Sequence, residues 1–462
     1  MNRKPVVRIL SITVSMAILL STLSSCGAGK TPAGSSLPGS SAGLSTEESS
    51  NATSSGSVIA ESQKSASGSI AASSTSPASK ASSVATSTTQ SATSGTGTPQ
   101  SDIAFYKEIL TIETGWLSSL QLPNGAMPMT AAKTGTVKVN PYFASFAVLA
   151  ILEGDKKYHP VVKKYMDWHF AHLNTAATDY NGVDGTIYDY DITVSEGKVV
   201  SEAIATNDRG TKQYDSSDSY AAMFLAILWS YYSKSGDAAY IKAHYNQIKR
   251  ILNALYSTMN EGLTWAKPDY KIKYLMDNAE VWRGMDKTIL LYEQVLKSAF
   301  SDAPAMLTKL KADRALVASK IESLMWNEAG KHYESAIGID GEVAFNFDWN
   351  NFYPSATCQL FVITNDMIKP DSARAKIVYA NFNKYYSTGE SRKTWEQMSI
   401  PDQFYWGEMV YAGALMKDEA RVKSYMTLYR RVMKNHAYPL YNADAGKATL
   451  AAAYMIEYLS SK

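Results

Sequence analysis

Apolar residues recur at helical spacing in paired segments from about residue 102 onward. In each pair an amphipathic segment is followed by a loop rich in Gly, Asn, Pro and Tyr, and then by a more apolar segment that opens on Asn or Asp. Apolar positions at i, i+3, i+4 and i+7 are typical of an α-helix, and Asn or Asp before such a run is a frequent N-cap. The second helices are predicted to begin near Asn140, Asp215, Asp277, Asp348, Asp402 and Asn442.

Six such pairs predict an all-α domain, an (α/α)6 toroid of six helical hairpins. The apolar second helices would form an inner barrel and the amphipathic first helices an outer sheath. An open array of the tetratricopeptide type is the alternative, but its repeat is nearly constant at about 34 residues. The intervals between the six starts given above are 75, 62, 71, 54 and 40 residues, which favours the closed toroid.

One loop departs from the helical pattern, at residues 175–214. Its segment TIYDYDITVSEGKVVSEAI alternates apolar and polar residues around a Glu-Gly pair, which predicts a short β-hairpin. The loop precedes the helix that starts at Asp215, so this insertion is expected to form one wall of a cleft at that end of the toroid.

The N-terminal segment is expected to be an export signal. Three basic residues lie before or beside an apolar run at residues 9–20, and the run is followed by Leu-Ser-Ser-Cys ending at Cys26. This ending resembles a bacterial lipobox. The resemblance implies that residues 1–25 are removed and that Cys26 carries lipid, which would anchor the mature protein to the outer side of the cell membrane. An ordinary signal peptide that happens to contain a cysteine is the alternative.

Residues 26–100 are mostly Ser, Thr, Ala and Gly and contain no aromatic residue. Such a composition buries too little apolar surface to offset chain entropy, so we expect a disordered tether with a mean reach of about 50 Å, followed by a folded domain at 101–462. Without the signal the chain has 42 basic and 43 acidic residues, which gives no reason to expect a nucleic-acid partner. Because lipidation would occupy Cys26, Cys358 is left without a disulfide partner.

The candidate chemistry lies in carboxylates at two adjacent inner-helix starts. Asp215 and Asp218 open the second predicted inner helix, and Asp277 and Glu280 open the third. Packed helices lie about 8–10 Å apart, so carboxylates at adjacent helix starts are close enough to act together as an acid and a base. These four residues are therefore the candidate catalytic residues, with helix capping as the structural alternative. Arg283 is expected to hold one of them ionised.

Other carboxylates remain open as candidates. Asp348 and Asp402 lie at later helix starts, and Glu396 lies in the loop before Asp402. Glu408 falls inside a helix six residues after Asp402, where an unpaired charge would be costly, so it is a candidate acid.

Aromatic residues concentrate at the same predicted end of the toroid. Their flat rings suit stacking on the apolar face of a pyranose, although such rings also pack loops onto helix ends. The residues expected to bind substrate are Tyr142, Tyr190, Tyr220, Trp265, Tyr270, Trp282, Arg283, Trp349, Tyr353, Asp402 and Trp406. No metal or cofactor is expected, since the chain contains no His-Glu-x-x-His motif and no Gly-rich phosphate loop.

Two helix starts carry a more particular resemblance. The stretches DSSDSYAAMFLAI and DNAEVWR resemble inner-helix starts of glycoside hydrolase family 8, and residues 102–460 together resemble the six-hairpin glycosidase superfamily. This resemblance implies that Asp218 contacts the sugar ring and that Asp277 is the general base. In family 8 the general acid is a Glu at the start of the first inner helix. The corresponding stretch here, VNPYFASFAVL, has no carboxylate, so the acid is left unassigned.

The sequence therefore leaves three functions open. The first is an extracellular, lipid-anchored glycoside hydrolase that cleaves a poly- or oligosaccharide with inversion, as a monomer. The second is a polysaccharide lyase on the same toroid, and the third is a glycan-binding lipoprotein without catalytic activity.

Overall fold

The computed structural model describes residues 99–131, 134–386, 394–395, 407–433, 436 and 441–462. The export signal, Cys26, the tether, Glu396, Asp402 and Trp406 lie outside the described residues.

Within these ranges the α-helices form six pairs of one outer and one inner element. The outer helices are α1 (Pro99–Ser119), α3 (His159–Ala171), α5 with α6 (Ala238–Ala243 and Tyr245–Ser257), α8 (Ala303–Leu324), α10 (Ala373–Tyr386) and α12 (Glu419–Met433). The inner helices are α2 (Pro141–Ile151), α4 (Ser217–Ser235), α7 (Leu275–Leu291), α9 (Thr357–Thr364), α11 (Gly407–Leu415) and α13 (Asn442–Ser460). One turn of π-helix follows α7 at Tyr292–Leu296, and a kinked segment at Phe352–Ala356, in which Tyr353 has extended backbone, leads into α9.

The inner helices form a closed ring. Each one contacts the next in chain order, and α13 packs against α2 and so joins the last hairpin to the first. Their side chains are almost all buried, as expected for helices that are covered on every side. The (α/α)6 toroid predicted from the apolar pattern is therefore confirmed.

Two glycines allow inner helices to approach closely. A Cβ atom at Gly446 of α13 would lie 2.6 Å from the backbone carbonyl of Phe146 in α2. A Cβ atom at Gly284 of α7 would lie 2.6 Å from the backbone of Ala222 in α4. Any larger residue at these points would push the ring apart, so the barrel depends on both glycines.

A three-stranded antiparallel sheet lies between the first hairpins. Strands β1 (Gly135–Val139), β2 (Tyr190–Ser195) and β3 (Lys198–Ile204) pair in that order. The β2–β3 turn places Glu196 and Gly197 at φ 50° and 73°, which is typical of a two-residue hairpin turn with positive φ at both positions. The predicted hairpin is confirmed, whereas the pairing of β1 with β2 was not predicted.

The remaining strands are two-residue pieces that pin loops to helix ends. They pair as β4 (Met259–Asn260) with β5 (Leu263–Thr264), β6 (Lys273–Tyr274) with β9 (Ala336–Ile337), and β7 (Trp326–Asn327) with β8 (His332–Tyr333). Among the described residues, no helix combines the length and the apolar character that crossing a bilayer requires.

Candidate active site

The starts of three inner helices meet at one end of the barrel. The Tyr142 hydroxyl of α2 donates a hydrogen bond to Glu280 Oε1 of α7 at 2.6 Å. The Ser216 hydroxyl, at the start of α4, donates to Asp277 Oδ2 of α7 at 2.7 Å. These two bonds bring the carboxylates predicted on α4 and α7 into one cluster beside Tyr142.

The starts of α4 and α7 lack side-chain caps, whereas Asn140 caps α2. Ser216 occupies the N-cap position of α4 but makes no side-chain cap bond, because its hydroxyl is directed to Asp277. Helix α7 starts at Leu275, two residues before the predicted start, and its N-cap Tyr274 makes no side-chain cap bond either. A capping hydroxyl typically stabilises a helix by about 0.5–2 kcal/mol. At Ser216 this stabilisation is absent, and the hydroxyl instead orients Asp277.

Asp218 is fully buried beneath this cluster. Its side chain has 0% exposure, its Oδ2 accepts a hydrogen bond from the Thr264 hydroxyl at 2.6 Å, and its Oδ1 accepts one from the Ser219 backbone N–H at 2.8 Å. Burial raises the pKa of Asp218 well above its ordinary value, and the charge of Asp277 raises it further. The carboxyl is therefore held in a fixed orientation behind Asp277.

Asp277 and Glu280 have the electrostatics of an acid–base site. Asp277 is 9% exposed and Glu280 is 1% exposed. Burial raises the pKa of Asp277 to about 7, and the Asp215 charge adds to this while the Ser216 hydrogen bond opposes it. Burial also raises the pKa of Glu280 to about 8, with the Tyr142 hydrogen bond acting in the opposite direction. Carboxyl groups with pKa values near neutrality are suited to proton transfer at neutral pH.

An unsatisfied hydroxyl lies in the same cluster. Ser219 is 1% exposed, and among the described residues its Oγ has no hydrogen-bond partner within 3.5 Å. The hydroxyl still lies near enough to Asp277 and Glu280 to lower the pKa of both. Ser219 therefore favours the ionised forms of both carboxyls.

A further carboxylate, absent from the sequence-based set, approaches from the sheet insertion. Asp189 immediately precedes β2, and its Oδ1 accepts a hydrogen bond from the Tyr220 hydroxyl at 2.9 Å. The Tyr220 hydroxyl in turn accepts one from Asn140 Nδ2 at 2.7 Å. Asp189 belongs to the alternating TIYDYD segment, which predicted a strand. The sequence pattern did not indicate that Asp189 joins the site, because this depends on the sheet packing against the start of α4.

The tyrosines at this end surround the carboxylates. The rings of Tyr142 and Tyr220 stack with centroids 6.1 Å apart and planes 13° from parallel. Tyr353 is 45% exposed, and partial desolvation together with the charges of Asp215, Asp277 and Glu280 raises its pKa, so its hydroxyl lies close to the cluster. Three of the rings predicted to bind substrate, those of Tyr142, Tyr220 and Tyr353, are therefore beside the carboxylates.

Two other aromatic residues predicted to bind substrate, Trp265 and Tyr270, lie on the loop before α7. Tyr270 and Tyr274 have hydroxyls 3.2 Å apart, and the Asp277 and Asp215 charges contribute to a raised pKa of Tyr274. Trp265 is half-buried beneath Lys271, and its buried indole N–H has no hydrogen-bond partner in the part of the chain that the structure describes.

Three of the predicted rings lie elsewhere. Tyr190 is buried under the sheet against Trp168, with ring centroids 5.5 Å apart. Trp282 faces outward, with the Arg314 guanidinium of α8 5.7 Å from its ring centroid. Trp349 stacks on a tyrosine of α10 at 5.5 Å. These three rings pack against other side chains away from the carboxylates, which the sequence pattern did not resolve.

The remaining predicted polar residues lie deeper in the barrel. Arg283 donates to the Thr364 carbonyl at 2.9 Å. Glu408 is ion-paired with Lys447 at 2.6 Å, so the unpaired charge that suggested an acid is absent. Asp444, a first-turn carboxylate of α13 that was also overlooked, accepts a hydrogen bond from the Gly407 N–H at 3.1 Å, and burial raises its pKa to about 7.

Asp348, the fourth of the predicted helix starts, is exposed and binds its own loop. Its Oδ1 accepts hydrogen bonds from the backbone N–H and side-chain amide of Asn350, at 2.9 and 3.1 Å. Among the described residues, no group of three or more His, Cys, Asp or Glu side chains is placed to hold a metal ion.

Comparison with known proteins supports the fold and no finer assignment. No family model matches the chain, and no curated protein sequence matches it. A solved structure described as a wild-type glycosidase is similar, with a TM-score of 0.51, 12% identity and coverage of 79% of this chain and 98% of that chain. A variant glycosidase structure is similar with a TM-score of 0.50, 13% identity and the same coverage. At such low identity the likeness shows a shared toroid.

A family 8 endoglucanase from Klebsiella pneumoniae also matches over 76% of this chain and 99% of its own length. Its identity is 12% and its TM-score 0.45. A similarity at that level carries no argument for membership of family 8.

Proposed function

We propose that this protein is a glycoside hydrolase that acts on a neutral poly- or oligosaccharide at the carboxyl cluster of α4 and α7. The observation that carries the proposal is the hydrogen bond from Ser216 to Asp277, because a helix cap is given up to orient a carboxylate at the mouth of the barrel. The glycosidase structures that share the toroid are consistent with this function.

Asp277 is proposed as the general base. It is the most exposed of the three buried carboxylates, at 9% against 0% for Asp218 and 1% for Glu280. Its partner Ser216 fixes one oxygen and leaves the other available to a water molecule. The carboxyl groups of Asp218 and Glu280 each accept a hydrogen bond from a hydroxyl. They then influence the electrostatic potential at Asp277 and do not contact the substrate.

A neutral substrate fits the charge of the site better than a uronic acid. Asp189, Asp215 and Asp277 would repel a uronate carboxylate, and sugar hydroxyls can instead donate to them. A lyase would also need a tyrosine that ionises readily. Burial and neighbouring carboxylates raise the pKa of both Tyr142 and Tyr220 well above the ordinary value, so the lyase alternative is not favoured.

We also propose export and lipid anchoring through Cys26, on the basis of the lipobox-like Leu-Ser-Ser-Cys ending. The mature protein produced in a bacterial host should partition into a detergent phase, and mass spectrometry should find lipid on the N-terminal cysteine. A Cys26→Ala variant should remain in the aqueous phase. An aqueous wild-type protein cleaved elsewhere would overturn this part of the proposal.

The activity is tested with soluble neutral glucans, xylans and mannans, by measuring new reducing ends. Asp277→Asn should lower kcat/KM by about 10²–10⁴ while circular dichroism stays unchanged. Asp208→Asn, in an exposed turn of the same insertion, is the control and should keep wild-type activity. Binding of oligosaccharide without cleavage would identify a glycan-binding protein instead, and an Asp277→Asn variant within tenfold of wild type would exclude Asp277 as the base.

A further inference from the structure

We propose that Asp189, carried by the sheet insertion, is the general acid that works opposite Asp277. This inference rests on the proposed glycoside hydrolase function. Nothing in the resemblance of the helix starts assigned a role to Asp189.

Asp189 is fixed in position by both its side chain and its backbone. Its carboxylate accepts the hydrogen bond from Tyr220 at 2.9 Å. Its backbone N–H donates to the Gln213 carbonyl at 2.8 Å, and its carbonyl accepts from the Ala205 N–H at 2.8 Å. The residue is partly exposed, and these bonds hold its carboxyl in a fixed position.

The start of α2 contributes an amide beside Asp189. Asn140 caps α2 through its Oδ1, which accepts from the Phe143 N–H at 2.9 Å, while its Nδ2 donates to the Tyr220 hydroxyl. The same amide group lies near enough to Asp189 to lower its pKa. The Asp189 carboxyl therefore lies at the start of α2, next to the starts of α4 and α7.

The partners of Asp189 and Asp277 limit the distance between the two carboxyls. The Tyr220 hydroxyl, which binds Asp189, lies 3.5 Å from the Asp215 backbone nitrogen. The next residue, Ser216, binds Asp277 at 2.7 Å. The two carboxyls are therefore connected through residues 215–216 by a path that limits their separation to at most about 15 Å. The ~6.5–9.5 Å spacing of inverting glycosidases and the ~5–5.5 Å spacing of retaining ones both fall within this limit, and the anomeric configuration of the product distinguishes them.

The electrostatics of Asp189 agree with this role. Burial raises its pKa to about 7. The Asp215 charge acts in the same direction, while Tyr220, Asn140 and Lys138 act against it. A carboxyl with this pKa keeps its proton in a large fraction of molecules near neutral pH, as a general acid must.

The proposed reaction is balanced with water as the co-reactant. The protonated Asp189 donates its proton to the glycosidic oxygen as the bond between that oxygen and the anomeric carbon breaks. A water molecule forms the new bond to the anomeric carbon from the opposite face, and Asp277 accepts the proton that this water loses. The proton on Asp277 then returns through solvent to Asp189, so one glycosidic bond and one water are consumed per cycle.

The test compares a natural glycan cleaved by the wild type with the glycosyl fluoride of the same sugar. Fluoride leaves without protonation, so loss of a general acid affects the glycan far more. Asp189→Asn, which keeps an acceptor for Tyr220, should lose about 10²–10⁴ in kcat/KM on the glycan and stay within about tenfold of wild type on the fluoride. Asp277→Asn should be impaired on both substrates, and Asp208→Asn on neither.

The outcomes separate this inference from the proposed function. Equal losses of Asp189→Asn on both substrates, or no loss on the glycan, would overturn the role of Asp189 while the Asp277 result stands by itself. Retention of anomeric configuration in the first product, followed by proton NMR, would also overturn the pairing. Tyr220→Phe gives a second test, because removal of its hydrogen bond should raise the pKa of Asp189 and move the alkaline limb of the glycan pH profile upward. An unmoved limb would contradict the inference.

Discussion

Replacement of Lys447 should destabilise the domain strongly, because it would leave a charge buried in the centre of the barrel. The Lys447 ammonium lies 2.6 Å from Glu408, and the two side chains are 10% and 3% exposed. The ammonium also lies 4.1 Å from the ring centroid of Phe146 and 4.7 Å from that of Phe361. A cavity of about 10 Å³ beside the pair has room for at most one water molecule. Solvent could therefore compensate for the lost ammonium only weakly.

The magnitude follows from this enclosure. Removing one partner of a buried pair costs about 3–5 kcal/mol, whereas replacing both by apolar residues of similar volume is often neutral or stabilising. Lys447→Met and Glu408→Met should each cost several kcal/mol, and the double variant should be less destabilised than either single one. At about 2.1 cal/mol/K of unfolding entropy per residue, each kcal/mol lowers the Tm of a domain of about 360 residues by roughly 1.3 °C, so we expect a drop of roughly 4–7 °C for Lys447→Met.

Thermal unfolding followed by circular dichroism at 222 nm would measure the full cycle. Lys462→Met is the matched control, because its pair with Glu419 is 41% and 43% exposed and should contribute no more than about 1 kcal/mol. If the double variant loses as much stability as the two single variants together, the Lys447–Glu408 interaction is not the source of the effect and this reasoning is wrong.

Three further predictions concern the site and the ring. The Tm of Glu280→Gln minus the Tm of the wild type should be more positive at pH 8.5 than at pH 5. The folded pKa of Glu280 is raised to about 8, so the stability that its protonated form contributes to the wild type is lost as pH rises from about 4.3 through 8. An equal Tm difference at the two pH values would contradict this. Tyr142→Phe removes a hydrogen bond that lowers that pKa, so the loss of stability with rising pH, measured by Tm from pH 5 to 10, should extend to higher pH than in the wild type. Gly446→Ala should cost about 1–3 kcal/mol in thermal unfolding, since its Cβ would lie 2.6 Å from Phe146 backbone atoms. Gly115→Ala, a helical control whose Cβ would meet only the tip of a flexible side chain at 3.3 Å, should be neutral or stabilising.

The fold was predictable because two sequence signals mark the inner helices: a polar residue at the start and a continuous apolar body. Asn140 shows both signals and caps α2 as expected. The helix start predicted near Asp348 was placed too early, since the backbone is still extended at Tyr353 and α9 begins at Thr357, and no sequence period indicates this kink. Strand β1 was missed because its partner β2 lies about fifty residues away and local alternation does not reveal the pairing.

The candidate site was predictable in position but not in its internal bonds. The sequence placed carboxylates on two adjacent helices, and their meeting follows from closure of the ring. Ser216 donates to Asp277 and does not cap its own helix. This depends on side-chain geometry across two helices, which the sequence does not reveal. Asp189 could be recognised only after the sheet was seen to pack against Tyr220.

Closure of the ring also gives the domain a cyclic character. Helix α13 packs against both α1 and α2, so the last helix fills a gap within the first hairpin. Because the inner helices begin at the mouth, α13 ends at the opposite face, which is where α1 begins. A circularly permuted chain that joins residues 99 and 462 by a short linker and opens at the exposed Gly236 turn would therefore preserve every helix pair. In such a toroid the order of the hairpins along the chain can change while the arrangement of the site stays the same.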